Sequence, residues 1–202
     1  MCAFSLFLFY AVRCARIRIS AFHITSAQLP ARSVNITPHL SSDSSIDPAF
    51  FKSAPEVIDA CLCCLDSVNY VTKPSDLQEA FRRVFAVLKP HGLFLFDINT
   101  PYKLRGLDGQ VFLDETEDAY CVWRTEYSEK RRLCHYGIDL FQRDGDVWLR
   151  SQEEHTEYAY TPEELTGYLR VAGFRNIQVY GDRKLRAPRK DELRIWIAAE
   201  KE

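Results

Sequence analysis

The chain has 202 residues, 47% of them apolar, and a formal net charge of −2. That length suits one domain with room for a small subdomain. The near-neutral balance, without a run of five basic residues, argues against a nucleic-acid binder.

The N-terminal quarter reads poorly as a folded unit. Residues 4–12, FSLFLFYAV, are apolar, but no basic residue precedes them and they are too short to cross a bilayer. A buried or aggregation-prone strand is the simpler reading than a secretion signal. Ile17, Ile19 and Ala21 alternate with Arg16, Arg18 and Ser20 as in a strand, and residues 33–47 are rich in Ser, Pro, Thr and Asn, as in a loop or disordered segment. Residues 1–54 are therefore expected to be atypical, poorly ordered or non-native, through a frame shift, a misplaced start or a natural truncation.

From residue 57 the pattern sharpens. Residues 57–65 form a near-continuous apolar run, as expected of a parallel strand covered on both faces. Three of the seven cysteines, Cys61, Cys63 and Cys64, lie in it. Their Cys-x-Cys-Cys spacing on a strand points to alternate faces and does not match paired metal-ligand spacings, so they read as core in a reducing cytoplasm, with no metal. Pro74 and Ser75 open a helix, with Ser75 and Gln78 at capping-box spacing; Leu77, Ala80, Phe81, Val84, Phe85 and Leu88 recur at helical intervals. Glu79, Arg82, Arg83 and Lys89 make its solvated face. Lys89-Pro90-His91-Gly92 is a turn in which Gly92 can supply positive φ, and residues 93–98 form the next strand. The whole is a βαβ unit with parallel strands, whose ligand side lies beyond the strand ends at 65–70 and 97–100.

Beyond Thr100 the period falls to two. Ala119, Cys121, Trp123, Thr125 and Tyr127 share one face, and Cys134, Tyr136, Ile138 and Leu140 share another. Asp144-Gly145 marks a hairpin turn, and residues 148–158 the return strand. Thr161-Pro162-Glu163-Glu164 begins a second helix with cap, N1 proline and N3 acid in order. Leu165, Tyr168, Leu169 and Ala172 form its apolar face, and Gly173 ends it. Residues 177–180 and 193–199 read as two closing strands.

The segments CLDSVNY and FRRVFAVLKPHGLFLFDINTPYK resemble the fourth strand, helix and fifth strand of class I S-adenosylmethionine-dependent methyltransferases, in particular a bacterial small-molecule subgroup. EEHTEYAYTPEEL and VAGF extend the likeness, so that it covers residues 55–202. The resemblance implies an α/β fold: an incomplete Rossmann-like methyltransferase sheet with an antiparallel β subdomain inserted at about 105–160, and a closing antiparallel pair at one sheet edge. It implies S-adenosyl-L-methionine as cofactor, a small-molecule methyl acceptor, and no membrane or nucleic-acid partner. The family's glycine-rich cofactor loop has no counterpart here, because no glycine precedes Gly92, and close backbone approach to a ligand needs glycine.

By the same resemblance, Leu65, Asp66, Ser67 and Asn69 border the sulfonium and amino-acid end of the cofactor. Asn99 lies near the substrate, Trp123, Tyr127, Glu154 and Tyr160 wall its site, and His155 is the candidate general base, its ordinary pKa suiting that role. Adjacent strand residues face opposite ways, so Glu154 and His155 share one pocket only across a bulge. The expected function is methyl transfer to a small molecule by a truncated and inactive or impaired enzyme. The alternative is a non-catalytic remnant or partner subunit, which associates with itself or another chain along the sheet edge left open at residues 57–65. A nicotinamide-dependent oxidoreductase needs the same missing glycine fingerprint.

Overall fold

The computed structural model describes residues 58–202 throughout and the backbone of residues 8–13 and 18–23. The order is β1 (Leu8–Arg13), β2 (Arg18–His23), β3 (Ile58–Cys64), a 3-10 turn (Ser67–Tyr70), α1 (Pro74–Val87), β4 (Leu88–Asn99), α2 (Pro101–Gly106), β5 (Val111–Glu115), β6 (Ala119–Ser128), β7 (Leu133–Asp144), β8 (Val147–Tyr158), α3 (Pro162–Ala172), β9 (Arg175–Gly181) and β10 (Arg194–Glu200). The strands make a six-stranded sheet, ordered β2-β1-β3-β4-β10-β9, and a four-stranded sheet, ordered β5-β6-β7-β8.

β3 and β4 are parallel and joined by α1, the expected βαβ unit. The core forms because both elements present apolar side chains at matching intervals: Leu77, Phe81, Val84 and Val87 are buried on α1. Phe81 packs within 5.6 Å of the Phe94 ring and 5.4 Å of Phe96 on β4. Leu165, Leu169 and Ala172 of α3 and Phe174 complete the same cluster. Cys61 and Cys63 are buried in it, and burial pushes the Cys61 thiol up to about 12, so they act as small hydrophobes.

Several local expectations are corrected. The box at Ser75 and Gln78 does not form: Pro74 occupies N1, which makes Lys73 the cap residue, and Ser75 bonds to Asp76 instead. The turn before residue 93 is absorbed into β4, and His91, not Gly92, takes the positive φ of 60°. Gly92 is needed for space, since a Cβ there would lie 2.8 Å from the Lys89 carbonyl oxygen. α2, capped by Thr100, and the exposed strand β5 were not anticipated.

The edge expected to be open along residues 57–65 is covered. β1 pairs antiparallel with β3 from Leu8↔Cys64 to Val12↔Ala60, and β2 pairs antiparallel with β1, so β2 is the outer strand. The strands expected within 4–12 and 17–21 are thus present in part. The loop expected at 33–47 lies outside the described residues.

β10 runs antiparallel between β4 and β9, as the closing strands were expected to do. The second sheet is antiparallel throughout. Its β7–β8 loop is the two residues Gly145 and Asp146, with Gly145 at φ 61°. The two β6 and β7 residue sets named from sequence face each other across one surface of that sheet, Cys121 opposite Leu140 and Thr125 opposite Tyr136.

α3 carries the capping box in full: Thr161 Oγ1 accepts from the Glu164 N–H at 3.2 Å, and Glu164 accepts from the Thr161 N–H at 2.9 Å. Gly173 ends it at φ 110°, where a Cβ would lie 2.7 Å from the Phe85 ring. Gly167, inside the same helix, has open space around its absent Cβ. Gly173→Ala is therefore expected to destabilise the chain by about 1–3 kcal/mol, through strain at positive φ and overpacking. Gly167→Ala is expected to stabilise it by about 0.5–1 kcal/mol. Urea unfolding of both variants checks the opposite signs.

Candidate functional site

The C-terminal ends of β3 and β4 lie side by side, and the chain turns sharply after β3. Leu65 and Asp66 both take left-handed backbone, φ 62° and 51°, a conformation that costs a residue with a Cβ about 1–2 kcal/mol each. Hydrogen bonds hold the turn. The Asp66 N–H donates to Asp97 Oδ2 at 3.1 Å, and Ser67 Oγ donates to the Cys64 carbonyl at 2.7 Å. Asn69 is wholly buried. Its amide accepts from the Asn99 N–H and donates to the Asn99 and Tyr158 carbonyls, each at 3.0 Å.

An ion and hydrogen-bond network fills the space between these ends. Arg194, at the start of β10 and opposite Asn99 in register, reaches Asp66 Oδ1 at 2.8 Å and Asn99 Oδ1 at 3.2 Å, and also bonds to Asp97 Oδ2. Asn99 Nδ2 donates to Asp66 Oδ2 at 3.0 Å and to Glu157 Oε2 at 2.8 Å, and Lys103 Nζ donates to Asn99 Oδ1 at 2.8 Å. Burial raises the pKa of Asp97, and the Arg194 charge opposes that rise.

Above this floor stands one face of the antiparallel sheet. Strand parity places Glu153, His155 and Glu157 of β8 on that face, in register with Ile138, Tyr136 and Cys134 of β7. The space between is a cleft of about 490 Å³, lined by Asp66 and Asn99 below and by Trp123, Tyr136, Glu153 and His155 on the wall. This volume falls in the ordinary range for small-molecule sites. His155 Nε2 lies 3.2 Å from Glu153 Oε2, and its ring meets Tyr70 edge-on at 5.9 Å.

Of the sequence candidates, Asp66, Asn99, Trp123 and His155 converge on the cleft. Ser67 and Asn69 instead secure the turn beneath it, and Leu65 is 53% exposed outside it. Glu154 sits on the opposite, exposed face because β8 continues without a bulge, so parity excludes it. Tyr127 packs against the smaller cluster of Leu104, Cys134 and Ala159 rather than lining the cleft. Tyr160 is wholly buried in the main core, its hydroxyl donating to the Val71 carbonyl. Sequence reasoning missed Glu153, Glu157, Tyr136, Lys103 and Arg194. Period-two spacing from His155 would have found the two glutamates; nothing local marks Arg194.

Glu157 is 2% exposed, and burial, followed by the charge of Asp66, pushes its pKa from 4.5 up to about 7. Its hydrogen bonds to Asn99 and Tyr136 oppose the shift. Because the folded pKa exceeds the unfolded one, the folded state holds the proton more tightly. The stability this gives is full below about pH 4.5 and is lost as pH rises through about 7. Glu157→Gln keeps the neutral shape and removes the ionisation. The variant should gain on the parent chain between pH 5 and pH 8 by up to about 3 kcal/mol, measured by denaturant titration; a constant difference across that range would contradict the assignment.

No protein-family model matches the sequence. YqeM of Bacillus subtilis (strain 168), to which methyltransferase activity is ascribed, is 29% identical over 144 residues, 71% of this chain and 58% of that protein. The crystal structure of an S-adenosylmethionine-dependent methyltransferase from Clostridium acetobutylicum ATCC 824 matches with a TM-score of 0.66 and 32% identity, covering 72% of this chain and 59% of the other. The fold is also that of CalS10, an amino pentose methyltransferase from Micromonospora echinaspora solved with S-adenosylmethionine bound, with a TM-score of 0.59, 18% identity, and coverage of 73% and 59%. The chain thus spans somewhat under three-fifths of the length of these relatives. Over the part that it shares, by sequence and by a Rossmann-like methyltransferase fold, it is a relative of the S-adenosylmethionine-dependent methyltransferases.

Proposed function

We propose that residues 55–202 are a partial methyltransferase domain whose cleft is the acceptor side of a methyl-transfer site, with S-adenosyl-L-methionine as methyl donor and a small molecule as acceptor. The observation that carries this reading is the convergence of Asp66 and Asn99, at the ends of two parallel strands, with His155 and Glu157 of the overlying sheet in one cleft. Ligands of open α/β sheets bind at that end of the strands.

The described residues fit the donor only in part. Asp66 and the left-handed turn at 65–66 border the place where the resemblance sets the sulfonium. The next strand outward is β1, antiparallel to β3, and the sequence has no glycine before Gly92 to let a loop approach the adenosyl group. The adenosyl side is therefore not supplied by the described residues. S-adenosylmethionine supplies an electrophilic methyl carbon in such reactions, so the protein's contribution is chiefly orientation, worth about 7–11 kcal/mol in well-aligned reactions.

The chain's own residues have definable parts in that reading. Asn99, fixed by Asp66, Glu157, Lys103 and Arg194, presents a rigid polar floor. His155 faces the cleft and takes the proton that the acceptor's nucleophile gives up, with the Glu153 carboxylate orienting the ring. Burial and the charge of Asp66 raise the Glu157 pKa to about 7, so near neutral pH its carboxyl is only partly ionised. We place this activity in the cytoplasm. The described cysteines are free thiols, and no helix among the described residues is long and apolar enough to cross a membrane.

A second reading is a partner subunit without catalysis. β2 and β9 are the two outer strands of the larger sheet among the described residues, and an outer strand such as β2 offers its backbone to another chain. Calorimetric titration of the full chain with S-adenosylmethionine separates the two. Micromolar binding, together with transfer of a labelled methyl to a small molecule, supports the enzyme; no heat at millimolar cofactor, with a dimer on size exclusion, supports the partner subunit. Where transfer is seen, His155→Gln should lower kcat/KM by about 10²- to 10⁴-fold.

A further inference from the structure

The chemistry of the cleft wall narrows the class of molecule that fits. Trp123, Ile138 and Glu153 occupy one cross-strand row of β6, β7 and β8, with Tyr136 and His155 in the next row. The row places an aromatic ring and a carboxylate on either side of an aliphatic residue, about 10 Å apart across two strand spacings.

Charge is uneven along this wall. The Arg194 guanidinium at the floor is shared by Asp66 and Asp97, and Lys103 is turned to the Asn99 amide. Glu153, by contrast, faces an imidazole, and Asp114 adds a further carboxylate to the lining. The lining carries the carboxyl groups of Asp66, Asp114, Glu153 and Glu157 against the cations Lys103 and Arg194. A cleft with apolar walls in which acidic groups outnumber basic ones attracts cations, and ring faces such as those of Trp123 and Tyr136 add cation–π attraction. The Trp123 indole N–H is buried without a hydrogen-bond partner. That nitrogen has no access to the cleft, so it is the ring of Trp123 that the wall presents.

From this arrangement we propose that the cleft takes a small amine with an apolar or aromatic body, its ammonium seated against Glu153. As an identification of the methyl acceptor it rests on the methyl-transfer reading; as a binding preference it is measured without any cofactor.

Three probes share one phenylcarbinol body and differ in the terminal group: 2-amino-1-phenylethanol, 1-phenylethane-1,2-diol and mandelate. Their affinities for the full chain are read by calorimetry or ligand-observed NMR at pH 8, above the ordinary imidazole range. The amine should bind at least tenfold more tightly than the diol, and mandelate more weakly than either. Glu153→Gln, with its unfolding midpoint measured alongside, should bring the amine to within about threefold of the diol. Equal binding of amine and diol by the parent chain overturns the proposal whether or not the variant folds, as does a folded Glu153→Gln that keeps the tenfold preference. An amine-selective cleft with no response to S-adenosylmethionine leaves the inference standing and removes the methyl-transfer reading; methyl transfer without amine selectivity does the reverse.

Discussion

Arg194 is the interaction on which the site depends. Asp66 and Asp97 stand at the ends of neighbouring parallel strands, and the Asp66 N–H is bonded to the Asp97 carboxylate. Two carboxylates that close repel unless a cation lies between them. β10, entering antiparallel beside β4, delivers a guanidinium whose planar fork reaches both and Asn99 as well. A lysine at that position could supply the charge but not the simultaneous geometry. Buried ion pairs of this kind contribute little net stability against an apolar core, so the clamp is better understood as holding the strained turn at Leu65 and Asp66 in the one conformation that aims Asp66 at the cleft.

The two sheets meet through polar groups rather than through a shared apolar layer at this point. Asn69 bonds to the backbone of β4 at Asn99 and of β8 at Tyr158, and Glu157 of β8 accepts from the Asn99 side chain. Each buried donor in that seam has a named acceptor, which is what makes the desolvation tolerable. Satisfied in this way, the seam fixes the distance between floor and wall. The cleft's shape therefore follows from hydrogen bonding, while the helices and the Phe81, Phe94 and Phe96 cluster on the far side supply the apolar burial.

The protonation of Glu157 belongs to the same logic. Burial among Tyr136, Asn99 and Cys134, followed by the charge of Asp66, raises its pKa to about 7, so that it is protonated below neutrality and ionises as the pH passes through that value. His155, two residues away on the same strand face, is partly open to the cleft and has its own carboxylate in Glu153. The two glutamates thus differ in setting: Glu157 is buried, whereas the Glu153 side chain is 32% exposed.

What the sequence by itself determined is the order and kind of the main elements from residue 57 onward. The βαβ unit, the antiparallel insertion, the capped second helix and the closing strand pair all follow from periods of 3.6 and 2 and from punctuation by Pro and Gly, signals that are local. The family resemblance, and not the periodicity, singled out Asp66, Asn99, Trp123 and His155, which the structure brings to one cleft. Only the tertiary structure decided the rest. Arg194 is 128 residues from Asp66, and its role exists because β10 pairs with β4 in one particular register. Tyr160 and Asn69 resemble binding residues in one dimension but are consumed by the core and the seam, and Glu154 is turned away by the pleat of an unbroken strand. The covering of β3 by β1 is likewise a long-range pairing, from Leu8↔Cys64 to Val12↔Ala60, to which no local pattern could point. Local propensity reports which face of an element is apolar; which partner meets that face is set by packing, and the site is made of such meetings.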